Sequence, residues 1–399
     1  MVPEGWHMEM LKNIVDGGIK NGYSPNAAEK NTGHWVLGLG ALGDNGLIAS
    51  ETKPVEATQK VLNCRLYPGD FLISRSNTPD KVGRSILFKG EIDNCSYPDL
   101  MMRFRVNEDI VDTGFIETKL KSFFVRGYFK NCSAGSSRTM VKINKPIVEK
   151  TPLLLPPLHE QKKIACILSI WDKAIETVEK LIENSKTQKK ALMQQLLTGK
   201  QRLPGFEEKW EKTYLEDMTN ITMGSSPNSD FYNDVGNGLP LIQGNADIKD
   251  RKSAPRIHTS KITKTCSKGD ILLSVRAPVG AVAISMHDAC IGRGIASISE
   301  KNKLPLSFVY QLLIAFESKW VQLSQGSTFD AVNSKDIKKL KIAIPLSKKE
   351  QQRIAVVLST ADKETKTLQQ KLNCLKQEKN ALMQQLLTGK RRVKVNVDG

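Results

Sequence analysis

Pro98-Asp99 followed by Glu117-Thr118-Lys119 is the strongest hint of bond-breaking chemistry in this chain. The order matches the PD…E-x-K layout, in which two carboxylates hold Mg²⁺ and a lysine orients the attacking water. The pattern is short, its spacing is permissive, and nothing like it occurs in the second half of the sequence. Other catalytic signatures are missing. There is no G-x-x-x-x-G-K-[ST] loop to cradle a nucleotide triphosphate. There is also no glycine-rich methyl-donor loop, and no (Asn/Asp)-Pro-Pro-(Tyr/Phe) tetrapeptide, since Pro156-Pro157 sits in LLLPPLHE. His7, His34, His159, His258 and His287 are scattered and form no ligand cluster. No catalytic residue and no metal ligand is therefore assigned to this chain.

A second chemistry, the reading of base edges and phosphates, has broader support. Arg75 and Arg84 flank the turn Ser76-Asn77-Thr78, and Arg103, Arg105, Arg126 and Arg138 follow. The second half offers Arg251, Lys252, Arg256, Arg276 and Arg293. Arginine forks match guanine edges, Asn and Gln match adenine, and Ser, Thr and Lys hold phosphates. From these, the expected DNA contacts are Arg75, Ser76, Asn77, Thr78, Arg84, Arg103, Arg138, Arg251, Lys252, Arg276 and Arg293.

What positions these side chains is a duplication. The segment Ala191–Lys200, ALMQQLLTGK, returns letter for letter at Ala381–Lys390. It extends back at a constant offset of 190 positions to Glu160 and Glu350, each opening an EQ-x-x-IA run. Solenoid repeats run about 20–50 residues, so this period is that of a domain plus a helix. Weaker landmarks recur in order: Trp6 and Trp210, Gly22–Asn26 and Gly224–Asn228, GD-x-L-x-S at Gly69–Ser74 and Gly269–Ser274, Gly135-Ser136 and Gly326-Ser327. Between them the halves diverge, which suggests one fold reading two targets.

Both repeats predict long helices. Ser347-Lys-Lys-Glu350 reads as a capping box, with the glutamate reaching back to the backbone. Pro156-Pro157 suits a helix start, and Gly199 and Gly389 suit left-handed caps. Apolar residues spaced alternately by four and three form a seam: Ile164, Leu168, Trp171, Ile175, Val178, Ile182, Leu192 and Leu196. The second seam is Ile354, Leu358, Ala361, Leu368, Leu372, Leu375, Leu382 and Leu386. Ser185 and Lys189 interrupt the first, Thr365 and Lys379 the second. This is a coiled-coil pattern, expected to pair antiparallel as a spacer about 60 Å long. The two lysines either fix its register or snorkel outward.

With 399 residues, the chain has room for two cored domains. Runs at Asp70–Ser74, Ser85–Phe88, Ile271–Val275 and Val279–Ile284 read as strands, and Phe308–Ala315 with Trp320 as helix. The fold class is thus α+β. The formal charge of +17 favours a polyanionic partner. It is concentrated outside the two domains, which carry only +3 each over 1–155 and 207–345. Seven cysteines without a C-x-x-C pair indicate a reducing cytoplasm rather than a disulfide framework. The N-terminus lacks signal-peptide character and no apolar run approaches a membrane span. A cytoplasmic protein without a membrane partner is expected.

The layout resembles the specificity (S) subunit of Type I restriction–modification systems. The resemblance rests on the Pro156–Ile164 run, its partner Pro345–Ile354, the two LMQQLLTGK endings and the GD-x-L-x-S landmarks, and it covers essentially the whole chain. One departure is IPLSKKEQ in place of LPPLHEQ at the second helix entry. The resemblance implies two mixed target-recognition domains (1–155 and 201–345), a central helix (156–200), a C-terminal helix (346–390) and a basic tail (391–399). It implies that each domain reads one half of a split asymmetric site in double-stranded DNA. The helices would set the half-site spacing and dock two methyltransferase (M) subunits. Motor-nuclease (R) subunits would join the restricting complex. S-adenosylmethionine, ATP and Mg²⁺ would be bound by those partners and not by this chain. Two other readings are a self-sufficient nuclease using Asp99, Glu117 and Lys119, and a coiled-coil adaptor whose DNA binding ignores sequence.

Overall fold

A computed structural model describes residues 2–44, 46–137, 140–301, 304–324 and 331–394. The chain divides into two compact units, one formed by Met1–Val178 with Lys371–Gly399, the other by Glu179–Gln370. Among the described residues no helix is long and apolar enough to cross a membrane. Arg138 and the Gly326-Ser327 landmark lie outside the described residues.

In the first unit, strands Val15–Asn21, Met101–Val106, Phe71–Ser74 and Ser85–Leu87 form an antiparallel sheet in that order. A smaller sheet places Trp35–Leu37 between Thr52–Pro54 and Cys95–Ser96. Helices Thr113–Lys121 and Phe123–Cys132 supply Phe115, Leu120, Val125 and Phe129 to the core, where Phe71 and Phe104 stack at 5.2 Å. The second unit repeats the plan. Strands Thr219–Met223, Ile295–Glu300, Ile271–Ser274 and Val282–Ile284 lie side by side, and helix Leu306–Ser324 packs Phe308, Leu312 and Trp320 against them. The expected strands at 70–74, 85–88 and 271–275 are present, each one residue shorter; that expected at 279–284 is confined to Val282–Ile284, and the expected helix is longer, Leu306–Ser324. In both units a strand beginning at or beside the landmark tryptophan pairs with the strand leading into a long helix: His7–Met10 with Pro152–Leu155, and Trp210–Tyr214 with Lys341–Pro345.

The long helices run Leu158–Leu196 and Lys348–Leu387, and each contributes half its length to each unit. They pair antiparallel in both. In the first unit Lys379 reaches Asp172; in the second Lys189 reaches Asp362 and Ser185 meets the Thr365 hydroxyl at 2.8 Å. The seam lysines therefore act across the helix pair instead of snorkelling into water. Ile164, Leu168, Ile175, Val178, Ile182, Leu196, Ile354, Leu358, Leu372 and Leu386 are buried, whereas Trp171, Leu192, Ala361, Leu368, Leu375 and Leu382 are half-buried. Not all of this seam is coiled coil. Ile164 and Leu168 join Leu386 in the first unit's domain core, and Ile354 and Leu358 join Leu196 in the second's. The helix ends are thus domain core.

The EQ motif, the landmark tryptophan and the residues after T-G-K form one clamp, built twice. Arg202 donates through Nε and Nη2 to Glu350 at 2.7 Å each, through Nη1 to the Glu208 carbonyl at 2.8 Å, and lies over the Trp210 ring. Arg392 grips Glu160 in the same way, donates to the Glu4 carbonyl at 2.8 Å, and lies over Trp6. The neighbouring glutamines, Gln161 and Gln351, donate to the carbonyls of Pro156 and Pro345 at 2.9 and 2.7 Å. This corrects the capping-box reading. The Ser347 hydroxyl accepts from the Glu350 amide at 3.5 Å, but the Glu350 carboxylate goes to Arg202. A buried carboxylate takes a charged fork in preference to one amide because two charge-assisted bonds offset its desolvation better. Gly199 and Gly389 end the helices at φ +71° and +70°, the left-handed caps expected. The basic tail begins inside this clamp.

Candidate nucleic-acid interface

The recognition frame starts at the GD-x-L-x-S landmark. Asp70 is fully buried, accepts the Tyr67 amide at 2.8 Å, and is neutralised by Arg103 and Arg105. Asp270 accepts the Ser267 amide at 2.9 Å and the Ser297 hydroxyl at 3.0 Å. The strand from this aspartate delivers Ser74 or Ser274 to a turn, closed by the same backbone bonds in both units. Arg75 and Val275 amides donate to Leu100 and Gly294 carbonyls at 2.8 and 2.9 Å. Ile143 and Val332 amides donate back to Arg75 and Val275 at 2.9 and 3.0 Å. Ser76 and Arg276 therefore occupy one position, as do Asp99 and Arg293.

Gly22 and Gly224 hold a second strand end against this turn. A Cβ would stand 2.2 Å from the Tyr97 carbonyl oxygen at Gly22, and 2.2 Å from that of Gly292 at Gly224. The serine two residues on then accepts a backbone amide: Asp99 N–H to Ser24 Oγ at 3.2 Å, Arg293 N–H to Ser226 Oγ at 3.1 Å.

In the second unit this frame surrounds a cleft of about 500 Å³ lined by Ser226, Gln243, Asn245, Arg256, Arg276 and Arg293. Arg256 is tethered through Nε to the buried Asp247 at 2.9 Å, and Asp247 also accepts the Gln243 amide at 2.8 Å. Arg276 and Arg293 are exposed, and among the described residues neither guanidinium has a hydrogen-bond or ion-pair partner. Two free forks beside an amide side chain can present donors to guanine or phosphate, and a mixed edge to adenine.

Several expected contacts are framework instead. Ser76 and Asn77 are buried; Asn77 Nδ2 donates to the Leu39 carbonyl and Ser74 Oγ at 3.3 Å each, and its Oδ1 accepts the Thr78 amide. Arg84 pairs with Asp44 at 2.8 Å. Arg103 is spent on Asp70 and the Arg65 carbonyl; Arg126, not among the expected contacts, likewise donates to the carbonyls of Val82 and Asp80. Arg251 holds Glu317 with both Nη atoms. For Arg103 the cause is the fully buried Asp70 carboxylate, which draws the nearest arginine and which sequence spacing does not reveal. Thr78 and Lys252 remain exposed, and the Arg75 guanidinium donates to the Asp99 carbonyl at 3.4 Å. Gln243 and Asn245 were not foreseen, and no motif marks them. Ser24, Ser226 and Asp99 could have been found from the G-x-S-P-N landmark and the turn register.

The metal-site reading fails on geometry. Asp99 accepts from Ser24, Glu117 pairs with Lys121 and Lys89, and Lys119 is buried with its ammonium on the Leu387 carbonyl at 2.6 Å. Among the described residues no three His, Cys, Asp or Glu side chains are grouped to hold a metal. Burial lowers the Lys119 pKa from 10.5 to about 8. Between those values the folded state binds fewer protons than the unfolded one, so stability should climb as pH rises from about 8 toward 10.5. At 1.36 kcal/mol per unit the gain is at most about 3 kcal/mol. Denaturant melts at both ends of that window should show the rise in the native protein and not in Lys119→Met. An equal rise in both would place its origin elsewhere.

The model of the family described as "Type I restriction modification DNA specificity domain" matches residues 3–184 and again 207–377. The chain belongs to this family. It is a Type I DNA-specificity subunit, and its two matches fall on the two halves that share the recognition frame. The putative type I restriction enzyme MjaX specificity subunit of Methanocaldococcus jannaschii is 32% identical, over 98% of this chain and 95% of that relative. A solved structure described as "Structural basis underlying complex assembly and conformational transition of the type I R-M system" shares the fold. It has a TM-score of 0.65 and 24% identity, over 98% of this chain and all of that one, at 100%. The S subunit from M. genitalium does so with a TM-score of 0.62 and 14% identity, over 99% and 97% of the two chains. The specificity subunit thus has its DNA-reading role from family membership, and the nuclease reading of Asp99, Glu117 and Lys119 is withdrawn.

Proposed function

We propose that each unit of this specificity subunit reads one half of a bipartite, asymmetric site in double-stranded DNA. The observation that carries this is one backbone frame holding different side chains, with Arg276 and Arg293 unpaired in the second unit's cleft. Arg276, Arg293 and Lys252 are assigned to DNA in the second unit, with Gln243 beside them; Arg75 and Thr78 are assigned in the first. The recognition domains are taken as 1–155 and 201–345. The paired helices set the half-site spacing and dock two methyltransferase subunits, and motor-nuclease subunits complete the restricting complex. S-adenosylmethionine, ATP and Mg²⁺ belong to those partners. The complex works in the cytoplasm.

The test is co-expression with the methyltransferase subunit from the same locus, followed by methylation mapping of the host DNA. A split motif with N6-methyladenine in each half is the expected result. Exchanging residues 1–155 for the matching domain of another specificity subunit should alter one half-site and leave the other intact. A change in both halves would refute modular reading.

A further inference from the structure

The two units place side chains of opposite hydrogen-bonding character at one point of the same frame. In the first unit that point is Asp99, in the second Arg293. The equivalence rests on four matched contacts. The Gly22 amide donates to Met101 and the Gly224 amide to Ile295, at 3.3 and 2.9 Å. Amides of Tyr23 and Ser225 donate to the carbonyls of Tyr97 and Ile291 at 3.1 and 2.9 Å. Strand neighbours Ser74↔Met101 and Ser274↔Ile295 agree in register. Finally, the amides of Asp99 and Arg293 themselves rest on Ser24 and Ser226.

Both side chains are exposed. Asp99 accepts the Ser24 hydroxyl through Oδ1, which orients the carboxylate and leaves Oδ2 without a partner among the described residues. Arg293 has its whole fork available. A carboxylate offers acceptors only, a guanidinium donors only. In the major groove, the acceptor pair O6 and N7 belongs to guanine, while exocyclic amino hydrogens belong to cytosine N4 and adenine N6. Near phosphates an aspartate is also repelled, which favours a base edge over the DNA backbone as its contact.

We propose that position 99/293 is a specificity-determining position: Arg293 reads a guanine in one half-site, and Asp99 reads the amino group of a cytosine or adenine in the other. This rests on the reading of each unit as a half-site reader. Ser24 and Ser226 are positioning residues that hold the two backbones alike.

The experiment uses the full chain with its methyltransferase subunit, selecting bound duplexes from a randomised pool. Native protein, Asp99→Asn, Arg293→Ala and Arg293→Lys are compared. Arg293→Ala should reduce guanine preference at one base pair by roughly 5- to 150-fold, with the other half-site unchanged. Arg293→Lys keeps the charge and loses the fork, so it should relax the same base pair while retaining overall affinity. Asp99→Asn should relax one base pair of the other half-site. Whether cytosine or adenine is enriched there by the native chain identifies the amino group. Uniformly weaker binding with an unchanged motif would overturn the assignment and make the residues phosphate contacts, leaving half-site reading intact. A native chain that selects no motif would overturn the half-site reading itself, and this assignment with it.

Discussion

Gly224→Ala is expected to abolish reading of one half-site while the other is still recognised. The new methyl would stand 2.2 Å from the Gly292 carbonyl oxygen, 2.7 Å from that of Ile295 and 2.8 Å from that of Ile291. All three are backbone atoms of the turn that carries Arg293, so no flexible side chain can move aside. Overpacking of this kind costs about 1–3 kcal/mol, occasionally more. Here the strain also displaces Ser226, the acceptor that fixes the Arg293 amide. A lower melting temperature should accompany a methylation pattern, or selected motif, degenerate in one half. Gly22→Ala should do the same to the opposite half, its methyl meeting the carbonyl oxygens of Tyr97 and Pro98 at 2.2 and 2.4 Å. Loss of both half-sites from either single change would show that the frames are not independent readers.

Arg202→Ala should destabilise the second unit. It removes both charge-assisted bonds from a Glu350 carboxylate that is fully buried. Breaking a buried pair from one side costs about 3–5 kcal/mol. A quarter of the Arg202 side chain remains in water, which places the expected loss near the lower end, about 3 kcal/mol. Denaturant melts of Arg202→Ala, Glu350→Gln and the double variant should show strong coupling, because removing the charge from Glu350 relieves most of the penalty. Strictly additive losses would mean the pair contributes nothing beyond its separate parts. Arg392→Ala should weaken the first unit in the same direction.

Much of this architecture was legible in the sequence because it was written twice. The letter-for-letter helix endings, the EQ runs, the tryptophans and the GD-x-L-x-S landmarks located the elements and their order. Recurring in the same order in both halves, they had to serve one fold. Apolar spacing announced the helices, since burial of a seam imposes a period that survives in one dimension. The half-site readers were less legible. Of the residues expected to contact DNA, Arg276 and Arg293 line an open cleft, yet Asn77, Arg103 and Arg251 are fastened to carbonyls and carboxylates inside their own units.

The difference has a physical origin. Helix period, glycine caps and repeated landmarks depend on neighbours within a few turns or on comparison of one half with the other. An arginine's partner is settled by which buried oxygen the folded chain leaves uncompensated. That oxygen is often distant in sequence, as Glu317 is from Arg251 and Glu350 from Arg202. By itself the sequence determined two copies of one α+β frame joined to paired helices, and the family that frame belongs to. Only the tertiary structure decided which cations neutralise the interior and which remain to meet a base, because charges pair across the fold and not along the chain.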